Sequence, residues 1–192
     1  MLFIETIRAE NGRLFHLDYH QRRLDRTREA FGITRSYPLS ELLDPPKEGL
    51  IRCRVLYDAE QIDIMYLPYV VKQFRALQAV IDDEIVYDYK YANRTALDYD
   101  YEEHGDADDV VIVKNGLLTD TSIANIALYD GKQWVTPKTP LLRGTTRERL
   151  LEEGKLVEAD IPLTELERYS RCAIMNAMVG FLEIENGIIP PK

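Results

Sequence analysis

Three short stretches bring an amine, a carboxylate and a phosphate-binding turn into one chain in a fixed order: Tyr89-Lys90-Tyr91-Ala92-Asn93-Arg94, then Thr119-Asp120-Thr121-Ser122-Ile123-Ala124-Asn125, then Leu142-Arg143-Gly144-Thr145-Thr146-Arg147. A lysine amine attacks an aldehyde carbon and can then carry a proton. A buried acid stabilises a protonated ring nitrogen opposite it. Backbone amides at a helix start receive phosphate, favoured there by the positive end of the helix dipole.

Each stretch has a plainer reading beside the chemical one. Lys90 stands among Tyr87, Tyr89 and Tyr91, where its stem would lie along aromatic faces as a surface lysine; the chemical reading is an amine whose pKa its surroundings lower. Asp120 is either a turn acid beside Thr121 and Ser122 or a ring-nitrogen partner, with Asn125 supporting its turn through the side-chain amide. Thr145 with Glu148 fits a capping box, and a plain capped helix is adequate there. Arg23 lies in an arginine-rich segment with Arg22, Arg26 and Arg28, most of which should be solvated or paired with Asp25 and Glu29. One of them on a buried face would make a bidentate phosphate ligand. The ordered set as a whole supplies what pyridoxal phosphate needs: an amine for its aldehyde, an acid for its ring and amides for its phosphate.

Elements must place these groups. Leu2 to Ala9 alternates, with Phe3, Glu5 and Ile7 on one face and Leu2, Ile4, Thr6 and Arg8 on the other, which predicts a strand. Asn11-Gly12 predicts a hairpin turn and Arg13 to Leu17 the returning strand. Asp18 and Gln21 suggest a capping box opening a helix that runs to Phe31 and stops at Gly32. A short helix over Pro38 to Leu43 and strands over Leu50 to Tyr57, Ile62 to Val70 and Phe74 to Ile81 follow. The acidic run Asp82 to Asp88 reads as a crossing between lobes, and Thr95 to Glu103 as helical. Further on, strands are expected at Val110 to Val113, Ile123 to Tyr129, Gln133 to Val135, Val157 to Ile161, Cys172 to Met175 and Phe181 to Ile184. Helices are expected at Thr145 to Glu153 and near Leu163 to Tyr169. Strands and helices mix without regular alternation, so the class is α+β.

The 192 residues suffice for one compact unit or two small lobes. A net charge of -9 argues against general affinity for nucleic acid or anionic membrane. No apolar run reaches the length of a membrane span, and no basic-then-apolar leader opens the chain, so a cytoplasmic protein is expected. Cys53 and Cys172 sit far apart in apolar runs and read as two buried free thiols. His16, His20 and His104 lack partners at ligand spacing, so no metal site is expected.

From Phe3 to Ile184 the chain resembles the class IV aminotransferases, the fold-type IV pyridoxal phosphate enzymes, a family that includes branched-chain and D-amino acid aminotransferases and aminodeoxychorismate lyase. Glu5-Thr6-Ile7-Arg8 resembles the family's first hairpin strand and His20-Gln21-Arg22-Arg23-Leu24 its H-x-x-R-L helix. Gly144-Thr145-Thr146 resembles the G-I-T phosphate turn, and Asn176-Ala177-Met178 the second phosphate-side loop. The resemblance implies that Arg23 binds the cofactor phosphate, that Lys90 forms the Schiff base, and that Asp120 pairs with the pyridine nitrogen in place of the usual glutamate. It also implies two lobes, about 1–84 and 85–192, with the cofactor between them, and a homodimer.

Lys90-Tyr91-Ala92-Asn93-Arg94 is similar to the K-x-x-N-R of aminodeoxychorismate lyase, and Asn176-Ala177-Met178 to its N-A-L-M. The expected reaction is therefore lyase-like, releasing pyruvate and 4-aminobenzoate, with transamination of a branched-chain or D-amino acid as the alternative. A cofactor-binding homologue without turnover is a third reading, and an acidic interaction domain without cofactor lies outside the family. Arg8 and Arg94 are candidate contacts for substrate carboxylate or cofactor oxygens. Relative to the family, the segment before the first hairpin, with its D-R-G and Y-G-D-G stretches, is missing, and the span from Arg23 to Lys90 is short. Both features bear on substrate specificity more than on cofactor binding.

Overall fold

The computed structural model describes residues 1–191 and divides the chain into two units. The first comprises Met1–Val71 with Tyr89–Asn93, and the second Lys72–Asp88 with the chain from Arg94 onward. The division expected at residue 84 falls elsewhere for two reasons of hydrogen bonding. The strand Leu77–Ile81 pairs in parallel with Asp109–Lys114, which holds it in the second unit. Lys90 is held in the first unit, since its carbonyl accepts the Ile4 amide at 2.9 Å and the Ala92 amide donates to Leu2 O at 2.9 Å.

The first unit is a four-stranded antiparallel sheet in the order β2-β1-β3-β4, built from β1 (Phe3–Glu10), β2 (Arg13–Leu14), β3 (Leu50–Tyr57) and β4 (Ile62–Pro68). The alternation read in β1 is realised, with Phe3, Glu5, Ile7 and Ala9 buried on one face. The returning strand is shorter than expected, because His16 turns into the left-handed region at φ 53° and starts a helix. That helix, α1 (Leu17–Ala30), buries His20, Arg23, Leu24 and Thr27, a single stripe at helical spacing. The expected capping box does not form, since His16 is the N-cap and gives no side-chain cap. Gln21 instead accepts the Leu39 amide at 2.8 Å, which fastens α1 to the short helix α2 (Leu39–Leu42). Leu24, Leu39, Cys53, Val55 and Tyr57 close the core against the β1 row.

The second unit carries β5 (Leu77–Ile81), β6 (Asp109–Lys114), β7 (Leu117–Thr121), β8 (Asn125–Tyr129), β9 (Trp134–Pro137), β10 (Val157–Ala159), β11 (Arg171–Asn176), β12 (Gly180–Ile184) and β13 (Ile188–Ile189). Its nine-stranded sheet runs β10-β9-β8-β7-β6-β5-β13, with β11 pairing β8 and β12. Helix α3 (Thr95–Tyr101) follows Arg94, and α4 (Thr145–Glu152) follows Gly144. Strand β7 was not anticipated; the polar Thr119 and Asp120 interrupt its apolar run and disguise it as a turn approach, yet Leu118 to Thr121 are all buried. Leu77, Val111, Val113, Leu118, Ile126 and Ile174 fill the core. The two cysteines are buried free thiols, as expected. No helix among the described residues is long and apolar enough to cross a membrane.

Leu24 is the fully buried apolar anchor of α1. Leu24→Ala should cost about 2–5 kcal/mol, through lost transfer energy and the cavity left behind, read as a lowered midpoint in urea unfolding.

Candidate active site

In the second unit Asp120 and Asn125 are directly opposed residues of β7 and β8, joined by the tight turn Thr121-Ser122-Ile123-Ala124. The turn closes through Thr121 N to Ala124 O at 2.8 Å, and the Thr121 hydroxyl accepts the amides of Ile123 and Ala124. Cross-strand pairing puts the two side chains on one face. Asn125 Nδ2 donates to Asp120 Oδ1 at 2.7 Å and to Leu142 O at 2.8 Å, while the Leu142 amide donates to Asp120 Oδ2 at 2.8 Å. The carboxylate and the amide thus clamp the segment that leads into Gly144.

Gly144 is required there by close approach. Its backbone is ordinary, at φ -72° and ψ 147°, but a Cβ would stand 2.0 Å from Asn125 Oδ1. Gly144 is also the N-cap of α4, which displaces the expected capping box: Thr145 and Thr146 are the first helical residues, and Glu148 donates its amide to Gly144 O at 2.9 Å. Glycine has no side chain to cap the helix, and no side-chain cap bond forms there. Both threonines are buried. Arg147 anchors the same turn from beneath, donating to Pro137 O at 2.8 Å and to Glu158 at 2.6 Å.

Burial pushes the Asp120 carboxyl up to about 7, against the lowering pull of the Leu142 amide, the Asn125 side chain and the Arg147 charge. Asp109, at the start of β6, is also buried. Burial raises its carboxyl too, opposed by hydrogen bonds from Ser122, Val110 and Thr121. Its only signal in the sequence was an acid opening an apolar strand, and the reading passed over it.

The other expected residues of this unit gather at the same turns. Asn176 Oδ1 accepts the amides of Met178 and Val179 at 2.9 and 3.0 Å, which shapes the β11–β12 turn containing Ala177. Asn176 Nδ2 reaches Ile123 O at 3.3 Å and ties that turn to the β7–β8 turn. Arg94 donates to Ser122 O at 3.0 Å and pairs with Asp98 at 3.3 Å.

In the first unit Lys90 is half-buried at the centre of a three-residue turn, Tyr91 N donating to Tyr89 O at 2.8 Å. Tyr89 and Tyr91 pack edge-on against Phe31, and Tyr91 lies beside Phe3. Arg23 is buried and forms a bidentate pair with Glu5, Nε to Oε1 at 2.8 Å and Nη2 to Oε2 at 2.7 Å. His20 Nδ1 donates to the same Oε2 at 2.7 Å. Burial would raise Glu5, but the Arg23 charge and the bonds from His20 and Arg23 prevail and hold it at about 2. Burial lowers His20, and the nearby charges of Arg23 and Lys90 add to that. Arg8 points from the opposite face of β1, pairs with Glu10 at 2.9 Å and lies over Phe15, so it does not join the Arg23 cluster.

Residues 2–186 match the family model for amino-transferase class IV, and the chain belongs to that family. Its members are pyridoxal phosphate enzymes, and the mixed fold is that of the fold-type IV aminotransferases. A Haemophilus influenzae protein of uncharacterised activity is 41% identical over 182 residues, covering 92% of this chain and 97% of its own. A crystal structure from Haemophilus somnus, described as a candidate 4-amino-4-deoxychorismate lyase, superposes with a TM-score of 0.88 at 32% identity, covering 93% of this chain and 97% of its own. A Schizosaccharomyces pombe protein, described as a candidate aminodeoxychorismate lyase, is 30% identical over 90 residues, 45% of this chain and 39% of its own.

Two measurements test the clamp. Gly144→Ala should destabilise the protein by about 1–3 kcal/mol through overpacking. Asn125→Ala removes the atom it would meet, so the double variant should lose less than the two single losses combined in a urea double-mutant cycle. The Asp120 carboxyl, raised above the ordinary 3.8, binds its proton more tightly folded than unfolded. Its contribution to stability is therefore full below pH 4 and falls as pH rises to about 7. Relative to Asp120→Asn, the native chain should lose stability between pH 4 and 7; a difference that stays constant across that window contradicts the raised carboxyl.

Proposed function

We propose that the chain is a pyridoxal phosphate enzyme acting on an amino compound, lyase-like in the manner of aminodeoxychorismate lyase, and that it works as a homodimer in the cytoplasm. The single observation that carries the cofactor reading is the Asp120–Asn125–Gly144 clamp, which sets a buried acid and an uncapped helix start side by side. The donor set fits the group. Asp120, at about 7, becomes a carboxylate when a cation is placed against it, and each of its oxygens keeps acceptor capacity beyond the single bond described. The amides of Thr145 and Thr146 open α4 where a phosphate is favoured.

When bound, pyridoxal phosphate supplies an aldehyde carbon open to amines and a ring that accepts electrons. Lys90 is the amine that holds it and, once displaced by the substrate's nitrogen, the base that takes a proton from the neighbouring carbon. Asp120 holds the ring nitrogen protonated. Arg23 and the Gly144-Thr145-Thr146 turn hold the phosphate, with Asn176 and Ala177 shaping the adjoining loop. Arg8 and Arg94 are the candidate carboxylate contacts. The lyase reading draws on the Haemophilus somnus and Schizosaccharomyces pombe relatives and on the lyase-like spacing of Lys90 to Arg94.

Purified protein mixed with pyridoxal phosphate should gain a visible absorption band that borohydride abolishes, and Lys90→Ala should never show it. With aminodeoxychorismate, a lyase releases 4-aminobenzoate and pyruvate without any keto acid acceptor. Turnover only when a keto acid is supplied would move the assignment to an aminotransferase. A coloured protein inert in both assays would make it a binder without turnover, and a colourless one would remove the cofactor reading.

A further inference from the structure

We infer that helix α3 is a pH-sensitive clasp, held against β6 by Asp100 as a neutral acid and loosened when Asp100 gives up its proton. Seven residues are too few for a helix to keep its shape in water by itself, so α3 depends on what it packs against. It packs against β6, and the side chains it buries are Leu97 and Asp100, three residues apart on one face. Half of that inward face is therefore a carboxyl. Asp100 is 3% exposed, and its Oδ2 is fully enclosed with no hydrogen-bond donor in reach among the described residues.

A buried carboxylate keeps its charge only with a cation or several donors beside it. The charges that act on Asp100 are instead those of two acids, Asp82 and Glu103. Asp82, just past β5, is pinned in place because its Oδ1 accepts the amides of Glu84 and Ile85 at 2.9 and 3.0 Å. Glu103 belongs to the 3-10 turn Glu102–His104 that continues α3. His104 of that turn is bonded to Tyr101 O at 2.7 Å, and Asp98 of α3 is paired with Arg94. On β6, Lys114 is engaged by the Ile85 carbonyl and Asp109 by the Val110 amide. Asp100 also stands in the last turn of α3, where the negative end of the helix dipole opposes a further negative charge.

Burial first, and then the two acids, push the Asp100 carboxyl up to about 6 from the ordinary 3.8. Its proton is therefore bound more tightly with α3 docked than with α3 released. Docking is strongest below about pH 4 and weakens as pH rises through 6. The full interval corresponds to about a hundredfold in the docking equilibrium, which solvent screening near the surface reduces toward about tenfold. The loosening is passed to the β7–β8 turn. Arg94 is the N-cap of α3, pairs with Asp98 at 3.3 Å and donates to Ser122 O at 3.0 Å. When α3 frays, Asp98 no longer steadies that guanidinium, and the turn between Asp120 and Asn125 loses an outside contact.

Amide hydrogen exchange of the full chain, without added cofactor, tests the clasp against Asp100→Asn, which keeps the shape of the neutral acid. Comparing two proteins at one pH cancels the pH dependence of exchange itself. Over residues 95–104 the native chain should exchange at the variant's rate at pH 5 and about tenfold to a hundredfold faster at pH 8. Residues 110–113 of the core should exchange alike in both. Asp82→Asn with Glu103→Gln removes the like charges yet leaves an amide oxygen to accept the Glu84 and Ile85 amides, so the rise from pH 5 to 8 should shrink. If Asp100→Asn does not yield folded protein, the native chain and that double variant decide, and an equal rise in both overturns the clasp. A native-to-variant ratio that stays flat from pH 5 to 8 overturns it as well. So does a ratio at pH 8 that falls as the protein is concentrated, since a cation from a second copy would then be holding the charge.

Discussion

Each unit of the chain buries a carboxylate, and the cost of doing so governs how its surroundings are built. A charge removed from water needs partners of matched geometry or it gives up the charge. Glu5 follows the first course, with one guanidinium bonded to both its oxygens and an imidazole N–H to one of them, and stays ionised to about pH 2. Asp120 follows the second. Its direct donors are neutral, an amide side chain and a backbone N–H, and its carboxyl titrates near 7. The one structure therefore contains a buried carboxylate held ionised by its partners and another that burial pushes toward the neutral acid.

Asp120 also organises the chain around it. Asp120 and Asn125 face each other only because β7 and β8 pair in that register, and one residue of slip would send both side chains to the other face. From that register they reach across to Leu142 and draw the approach to α4 against β8. The approach is so close that Asn125 Oδ1 lies where any side chain at position 144 would begin. Removing the side chain at 144 in turn removes the cap of α4. The uncapped helix start and the clamp on the acid thus follow from one contact.

Much of this could be read in the sequence. Alternation located β1, the Asn11-Gly12 pair located its turn, and α4 ends one residue from the expected Glu153. Asp120, Asn125 and the Gly144 turn were singled out by type and order, and the structure brings them together through Leu142. What escaped was information that only pairing supplies. Strand β7 was hidden because Thr119 and Asp120 look like turn residues until β6 and β8 are known to flank them. The boundary near 84 was misplaced because an acidic run resembles a linker, although Asp82 and Asp83 accept backbone amides of Ile85 and Asn115 inside the second unit. Glu5 was visible as a charged residue in an apolar row, but a contact across 18 positions to Arg23 has no local signature.

The choice of aspartate at 120 is intelligible in these terms. A carboxyl on a short arm stays close to its own strand, where the opposed Asn125 and the incoming Leu142 amide can hold both oxygens at once. One more methylene would carry the carboxyl past the 2.7 and 2.8 Å contacts that now fix it and would add a rotatable bond to be frozen. The shorter arm therefore exchanges reach for rigidity. Gly144 answers it from the other side: with no side chain at the N-cap, the helix start sits against Asn125 with nothing in between. Aspartate at 120 and glycine at 144 are in this sense a matched pair, each tolerable because of the other.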